Sequence, residues 1–212
     1  MYDVSMIFEQ HEGVKKMRVT KAQAQANREH IVETASVLFR ERGFDGVGVA
    51  DLMAAAGFTH GGFYKHFGSK ADLMAEAAAS SLAQSLTDNA GIDVADFVDL
   101  YVSRDHRDGR GGGCTMAALC GDAARQSPEL KATFANGIEK HAGRARKPVR
   151  GRARRAAGSD QGKKMLDMLA HAVGAIMLSR ACPDDSALAD EILEVCRARI
   201  IAALPPSPAK QP

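Results

Sequence analysis

The 212-residue chain contains no tryptophan, and aromatic residues make up only 5% of it. The few present gather between Phe39 and Phe67, which marks that stretch as a small, tightly packed unit. Long apolar runs are also missing. The best candidate, Leu166 to Ala181, is broken by Asp167, His171, Ser179 and Arg180, so no segment reaches the roughly 20 apolar residues of a membrane helix. Met1-Tyr2-Asp3-Val4-Ser5 lacks the basic start and apolar core of a signal peptide, and a cytoplasmic protein with no membrane partner is expected. Cysteine is sparse: Cys114, Cys120, Cys182 and Cys196 form no CxxC pair, and no histidine pair stands beside them at zinc spacing. A metal module is thereby excluded, no cofactor is implied, and the four are expected to be thiols. Neither sign of charge dominates, with 28 basic against 26 acidic residues and a net charge of +2. Binding to nucleic acid must then be argued from local pattern. At 45% hydrophobic and 25% charged residues, wholesale disorder is excluded.

Sustained alternation of apolar and polar residues is absent as well, so an all-α fold is expected. Residues 1–19 carry no period and read as a flexible extension, with Met17 resembling a natural start. A helix is expected from Lys21 to Arg42, where Ile31, Ala35, Leu38 and Phe39 form one stripe, and Gly43 ends it. A short helix from about Val49 to Ala56 follows, then a third that Thr59 can cap, with Phe63 and Phe67 one turn apart. Gly68 stops the third, and Ser69 with Asp72 starts a fourth that runs to about Asp88. Further helices are expected from Asp93 to about Ser103, Cys114 to about Arg125, Ser127-Pro128 onward, Lys163 to Ala181, and from near Asp184 and Asp185 to Pro205. Arg104 to Gly113 reads as a polar, glycine-rich loop, and residues 205–212 as a disordered tail.

The most informative stretch is Thr59-His60-Gly61-Gly62-Phe63-Tyr64-Lys65-His66-Phe67. If Phe63 and Phe67 are buried, Thr59, His60, Gly61, Gly62, Tyr64, Lys65 and His66 line the outer surface and leading end. All are hydrogen-bonding or very small. Two glycines in a short helix cost about 1 kcal/mol each relative to alanine, which points to close approach by another object. A DNA major groove admits a helix in this way, with Tyr64, Lys65, His66 and the Thr59 hydroxyl suited to phosphate oxygens. Alternatively, the glycine pair relieves crowding between neighbouring helices.

Gly43-Phe44, Asp51-Leu52, Ala55-Ala56-Gly57, Gly62-Phe63-Tyr64-Lys65-His66-Phe67 and Ser69-Lys70-Ala71-Asp72-Leu73 together resemble the amino-terminal signature of the tetracycline-repressor (TetR) family. The likeness covers roughly Arg28 to Ala77. It implies a three-helix DNA-binding head with a helix-turn-helix over Gly48 to Phe67, followed by a larger helical ligand-binding and dimerisation domain. The expected division is residues 20–68 and 69–204. The resemblance assigns Gly48, Thr59, His60, Gly61, Gly62, Tyr64, Lys65 and His66 to the operator, and Lys70 to a phosphate. Phe63, Phe67, Ile31, Leu38, Phe39 and Leu52 would be core. Many relatives open the second helix with Thr-Thr; here Val47-Gly48 leaves only a backbone amide at that corner.

A looser likeness, in Gly113-Cys114, Ala117-Ala118-Leu119, Arg125, Ser127-Pro128 and Phe134, is to members that sense small molecules. Cys114, Met116, Phe134, Met168 and His171 are the candidates for a pocket holding a small apolar effector, although His171 also reads as a core or interface histidine. Arg144 to Arg155 carries seven basic residues and no acid, and reads as a solvated basic loop or a second phosphate-facing patch. The glycine run 109–113 lacks the following Lys-Ser or Lys-Thr of a nucleotide loop, and no nucleophile sits in a catalytic motif, so an enzyme is not expected. The function expected is a transcriptional regulator, a ligand-released repressor that binds a palindrome as a homodimer paired through its last two helices. The other class considered is a thiol-based electrophile or redox sensor centred on Cys114, or a helical enzyme, whose head no longer binds DNA.

Overall fold

The computed structural model describes residues 20–143 and 160–204. The expected amino-terminal extension, the basic run Arg144 to Arg155 and the carboxyl-terminal tail lie outside the described residues. All regular structure among the described residues is helical. Helix α1 (Lys21–Arg42) starts where the Thr20 hydroxyl accepts the Gln23 N–H at 3.1 Å. It ends at Gly43, whose φ of 75° suits glycine. Its buried face is Ile31, Val32, Ala35 and Phe39, while Leu38 is half-buried. Helix α2 (Val49–Ala55) begins at Gly48, and the Asp51 carboxylate accepts the Gly48 N–H at 3.3 Å. The chain then reverses through Gly57 at φ 77°.

The next element is a six-residue 3₁₀ helix, His60–Lys65, shorter and tighter than the expected third helix. Thr59 precedes it without a side-chain cap bond. Glycines 61 and 62 contribute little helix propensity, so i→i+3 bonds such as Gly62 N–H to Thr59 O (2.9 Å) suffice while Phe63 and Phe67 anchor the segment. Helix α3 (Lys70–Asp88) is capped by Ser69, whose hydroxyl accepts the Asp72 N–H at 3.1 Å. It packs on α1 and leads into α4 (Val94–Tyr101), capped by Asp93.

Arg104 to Gly113 is not a continuous loop: Arg104–Asp108 forms a helix, α5. The Ser103 hydroxyl caps it by accepting the His106 N–H at 3.2 Å, and Arg107 is buried, only 2% exposed. The Arg107 guanidinium donates to Ser179 O (3.2 Å) and Cys182 O (3.4 Å) and pairs with Asp108 and Asp184. A polar helix whose inward side chain is an arginine has no apolar period, which is why the pattern reads as loop. The remaining helices are α6 (Thr115–Ala123), α7 (Pro128–His141), α8 (Asp160–Ala181) and α9 (Ala187–Ala202). Helix α9 starts later than expected because the Asp184 carboxylate is drawn to Arg107 and Ser186 takes the cap position. Helices α8 and α9 fold back as a hairpin, tied by the Ser179 hydroxyl donating to Ala189 O at 2.9 Å.

Two apolar cores result. The first holds Phe39, Phe44, Leu52, Phe63 and Leu73 together with Leu119, Leu130 and Phe134. The second joins Val98, Tyr101, Ala172, Ile176, Leu193 and Ile200. Helix α6 lies between them, giving Leu119 and Ala123 to the first and Ala117 to the second. Movement of α6 is therefore felt on both sides. The Asp122 carboxylate of α6 also accepts the Phe44 N–H at 3.0 Å, fastening it to the α1–α2 corner.

Candidate functional site

The 3₁₀ segment is an outward-facing rim on an aromatic base. Phe63 is fully buried and Phe67 nearly so, their ring centroids 5.5 Å apart. Between them Tyr64 is 67% exposed and stands edge-on to both Phe63 (5.2 Å) and His60 (6.3 Å). Thr59, His60, Gly61 and Lys65 are exposed; Gly62 and His66 are half-buried. A Cβ at Gly61 would meet nothing within 4 Å, and one at Gly62 would reach only ordinary contact, 3.5 Å from the Met53 methyl. Crowding within the chain therefore does not require the glycine pair. The backbone at Gly61 is open to the outside.

One charged residue, Arg28, holds this rim, a role that no local sequence pattern assigns to it. Arg28 on α1 donates to the His66 carbonyl, forms a fork with the Glu76 carboxylate of α3, and lies 4.2 Å over the Phe67 ring. One guanidinium thus joins the end of the 3₁₀ segment to two helices. No local pattern links positions 28, 66 and 76, and their meeting follows only from the α1–α3 crossing. Lys70 is half-buried, and its ammonium donates to Phe44 O at 2.6 Å. Two of its three protons remain for another acceptor. Gly48 is exposed, but its N–H is already taken by Asp51.

The five expected pocket residues do not converge. Met168 and His171 line a cavity of about 560 Å³ between α8, α9 and the start of α4, with Met165, Ile200, Lys164 and Asp167. His171 is exposed there, not a core residue. Cys114 lines a separate cavity of about 340 Å³ with Arg40, Phe97, Tyr101 and His106. Phe134 is buried in the first core with its ring 6.4 Å from Phe44, and Met116 is buried in the helix packing. Helical periodicity names apolar side chains but not the core each will enter, which is why the five scatter.

Beside Cys114, His106 has both ring nitrogens engaged: Nε2 accepts the Cys114 N–H at 3.0 Å, so Nδ1 carries the proton given to Tyr101 O at 2.6 Å. Burial, with Arg180 adding to it, lowers the His106 pKa and favours this neutral form. Burial and the neighbouring Cys114 push the Cys120 thiol up to about 11, and burial raises Cys196 as well. Neither is a ready nucleophile. Among the described residues no helix is long and apolar enough to cross a membrane.

Residues 31–77 match the bacterial regulatory proteins of the tetR family. The chain is 41% identical over 59 residues to the HTH-type transcriptional regulator AcrR of Shigella flexneri, covering 28% of this chain and 27% of that protein. It is 39% identical over 69 residues to the HTH-type transcriptional regulator TtgR of Pseudomonas putida, covering 32% of each. The matched stretch thus spans less than two thirds of these curated relatives. The fold is similar to that of the reduced form of E. coli NemR, with a TM-score of 0.65 at 20% identity, covering 87% of this chain and 99% of that one.

Proposed function

We propose that this chain, whose residues 31–77 match the tetR family of bacterial regulatory proteins, is a DNA-binding transcriptional regulator, a repressor released from its operator by a small molecule. One observation carries this reading: Thr59–His66 turns its polar and glycine positions outward from a buried Phe63–Phe67 base. A helical segment so exposed, with its backbone bare at Gly61 and Gly62, enters a major groove and leaves Tyr64 and Lys65 to reach phosphates. His60, His66 and Thr59 complete the contact, with Gly48 and Lys70 at the flanking corner. Residues 20–68 act as the head and 69–204 as the effector and dimerisation body, in the cytoplasm where the operator lies. No catalytic step is assigned to it.

Two copies pair through α8 and α9. Met177, Leu178, Leu188 and Val195 on this hairpin are exposed, and Leu188 and Val195 lie two turns apart on one face of α9. A two-fold pair presents its recognition segments to half-sites one helical turn, or a multiple of it, apart. The effector releases the operator by binding more tightly to the arrangement of heads that does not fit it. Footprinting the purified protein on its own upstream region is the test, with protection of a palindrome expected. Absence of protection at any palindrome would refute the reading. Lys65→Ala should weaken binding to all sequences alike and reduce the slope of log K against log salt by about 1.

A further inference from the structure

The 340 Å³ cavity lies between α1, α3, α4 and the start of α6, at the small end of ligand pockets. Its polar lining is unusual in sign. Tyr101 is only 8% exposed, and its hydroxyl is buried with no hydrogen-bond partner. Burial raises the Tyr101 pKa, and the neighbouring Cys114 sulfur, a weak acceptor at best, adds to it. Arg40 lines the same space, donating from Nε to Gly111 O (2.7 Å) and from Nη1 to the Ser81 hydroxyl (2.5 Å). Behind it, Arg180 donates to Arg107 O (2.7 Å) and His106 O (2.8 Å), and its charge reaches Tyr101 and Cys114. Among the described residues neither guanidinium has a carboxylate within ion-pair distance. Burial lowers the proton affinity of both, and for Arg40 the nearby Cys114 and Glu41 offset only part of that cost.

The inner end therefore carries positive charge whose acceptors are all neutral, beside a Tyr101 hydroxyl left without an acceptor. His106 does not fill that role, since both its nitrogens are engaged. The acid that lines the cavity, Asp88, is held by Gln84 Nε2 at 2.6 Å. It lies seven residues beyond Ser81 on α3, about 10 Å along the helix axis from the contact that Ser81 makes with Arg40. Apolar surface comes from Phe97, whose ring lies 5.3 Å from that of Tyr101, and from Leu100, left 66% exposed.

We propose that this cavity binds a small aryl carboxylate, its carboxylate accepting the Tyr101 hydroxyl proton and facing Arg40, its ring against Phe97 and Leu100. The site differs from the expected apolar pocket because one end demands an anion. That the ligand acts as an effector rests on the reading of the protein as a regulator; that it binds does not. Arg40 belongs to α1, which also carries Arg28 and so holds the recognition segment, giving the ligand a direct line to the head.

The test is calorimetric titration of the full, DNA-free chain with benzoate and 2-naphthoate, with benzyl alcohol and benzylamine as neutral and cationic controls. Saturable binding of a carboxylate below about 1 mM is expected, with neither control binding. Tyr101→Phe should weaken it about tenfold, since one hydrogen bond to an anion is lost. The unliganded variant should melt no lower than the parent, because the hydroxyl it loses has no partner. A parallel mobility shift should show the carboxylate releasing operator DNA. No saturable binding up to about 10 mM, equal affinity for benzyl alcohol, or unchanged affinity in Tyr101→Phe would overturn the site. Binding without operator release would overturn only the effector role, and failure to bind DNA at all would sink the regulator reading while leaving the titration to judge the site.

Discussion

Replacing Arg28 by alanine should uncouple the recognition segment from the rest of the head. Three contacts disappear together: the bond to His66 O, the fork to Glu76 and the guanidinium over Phe67 at 4.2 Å. A hydrogen bond from a charged donor contributes about 1.5–3 kcal/mol. The Glu76 pair is roughly a third exposed on each side, so screening holds it to about 0.5 kcal/mol. The cation over Phe67 adds about 0.5–1 kcal/mol. Because one side chain makes all three, the sum is not additive, and about 2–3 kcal/mol of stability is the expected loss. Glu76→Gln should cost under about 1 kcal/mol, since the other two contacts remain. Arg28→Lys should recover the charge but not the fork, and fall between. Urea unfolding at fixed protein concentration measures the stabilities, and operator affinity measured at a temperature where each variant is folded reads the positioning effect. A loss below about 0.5 kcal/mol in Arg28→Ala with unchanged operator affinity would refute the positioning role.

Other outcomes follow from the same geometry. Gly61→Ala and Gly62→Ala, alone or together, should leave the melting temperature unchanged or raised, because each Cβ has room and the unfolded chain loses freedom, yet both should weaken operator binding. A drop in melting temperature with normal DNA binding would show the glycines to be structural after all. His106 has a pKa below its ordinary value in the folded protein, so the unfolded chain takes up the proton first. Its stabilising contribution is whole above about pH 6.5 and lost as pH falls through the folded value, and the slope of stability in that window should flatten in His106→Gln. Tyr64→Ala should abolish operator protection without altering the melting curve, since its side chain lies two-thirds outside the fold.

Much of the fold was legible along the chain. Helix starts at Thr20, Ser69, Asp93 and Ser127 are written in capping residues whose oxygens accept N–H groups two or three positions on. The stops at Gly43 and Gly57 are written in glycines that take positive φ. These are local interactions, and local pattern reports them. Helix α5 escaped because its buried residue is an arginine satisfied by Ser179, Cys182 and Asp184, all more than seventy positions away. The third element has helical spacing in its two phenylalanines, but the glycines ahead of them leave it a short 3₁₀ segment, His60–Lys65.

By itself the sequence determined that the chain is helical, where most of its helices begin and end, and which face of Thr59–His66 would look outward. Each of these depends on neighbours within about two turns. Only the tertiary structure decided that Arg28 holds the rim, that Phe134 joins Phe39 and Phe44 in the first core while Met168 lines a cavity elsewhere, and that Tyr101 and Arg40 line one cavity. Those contacts join residues tens of positions apart. They exist because helices cross at angles set by the whole packed assembly, and no short stretch of sequence encodes such a crossing.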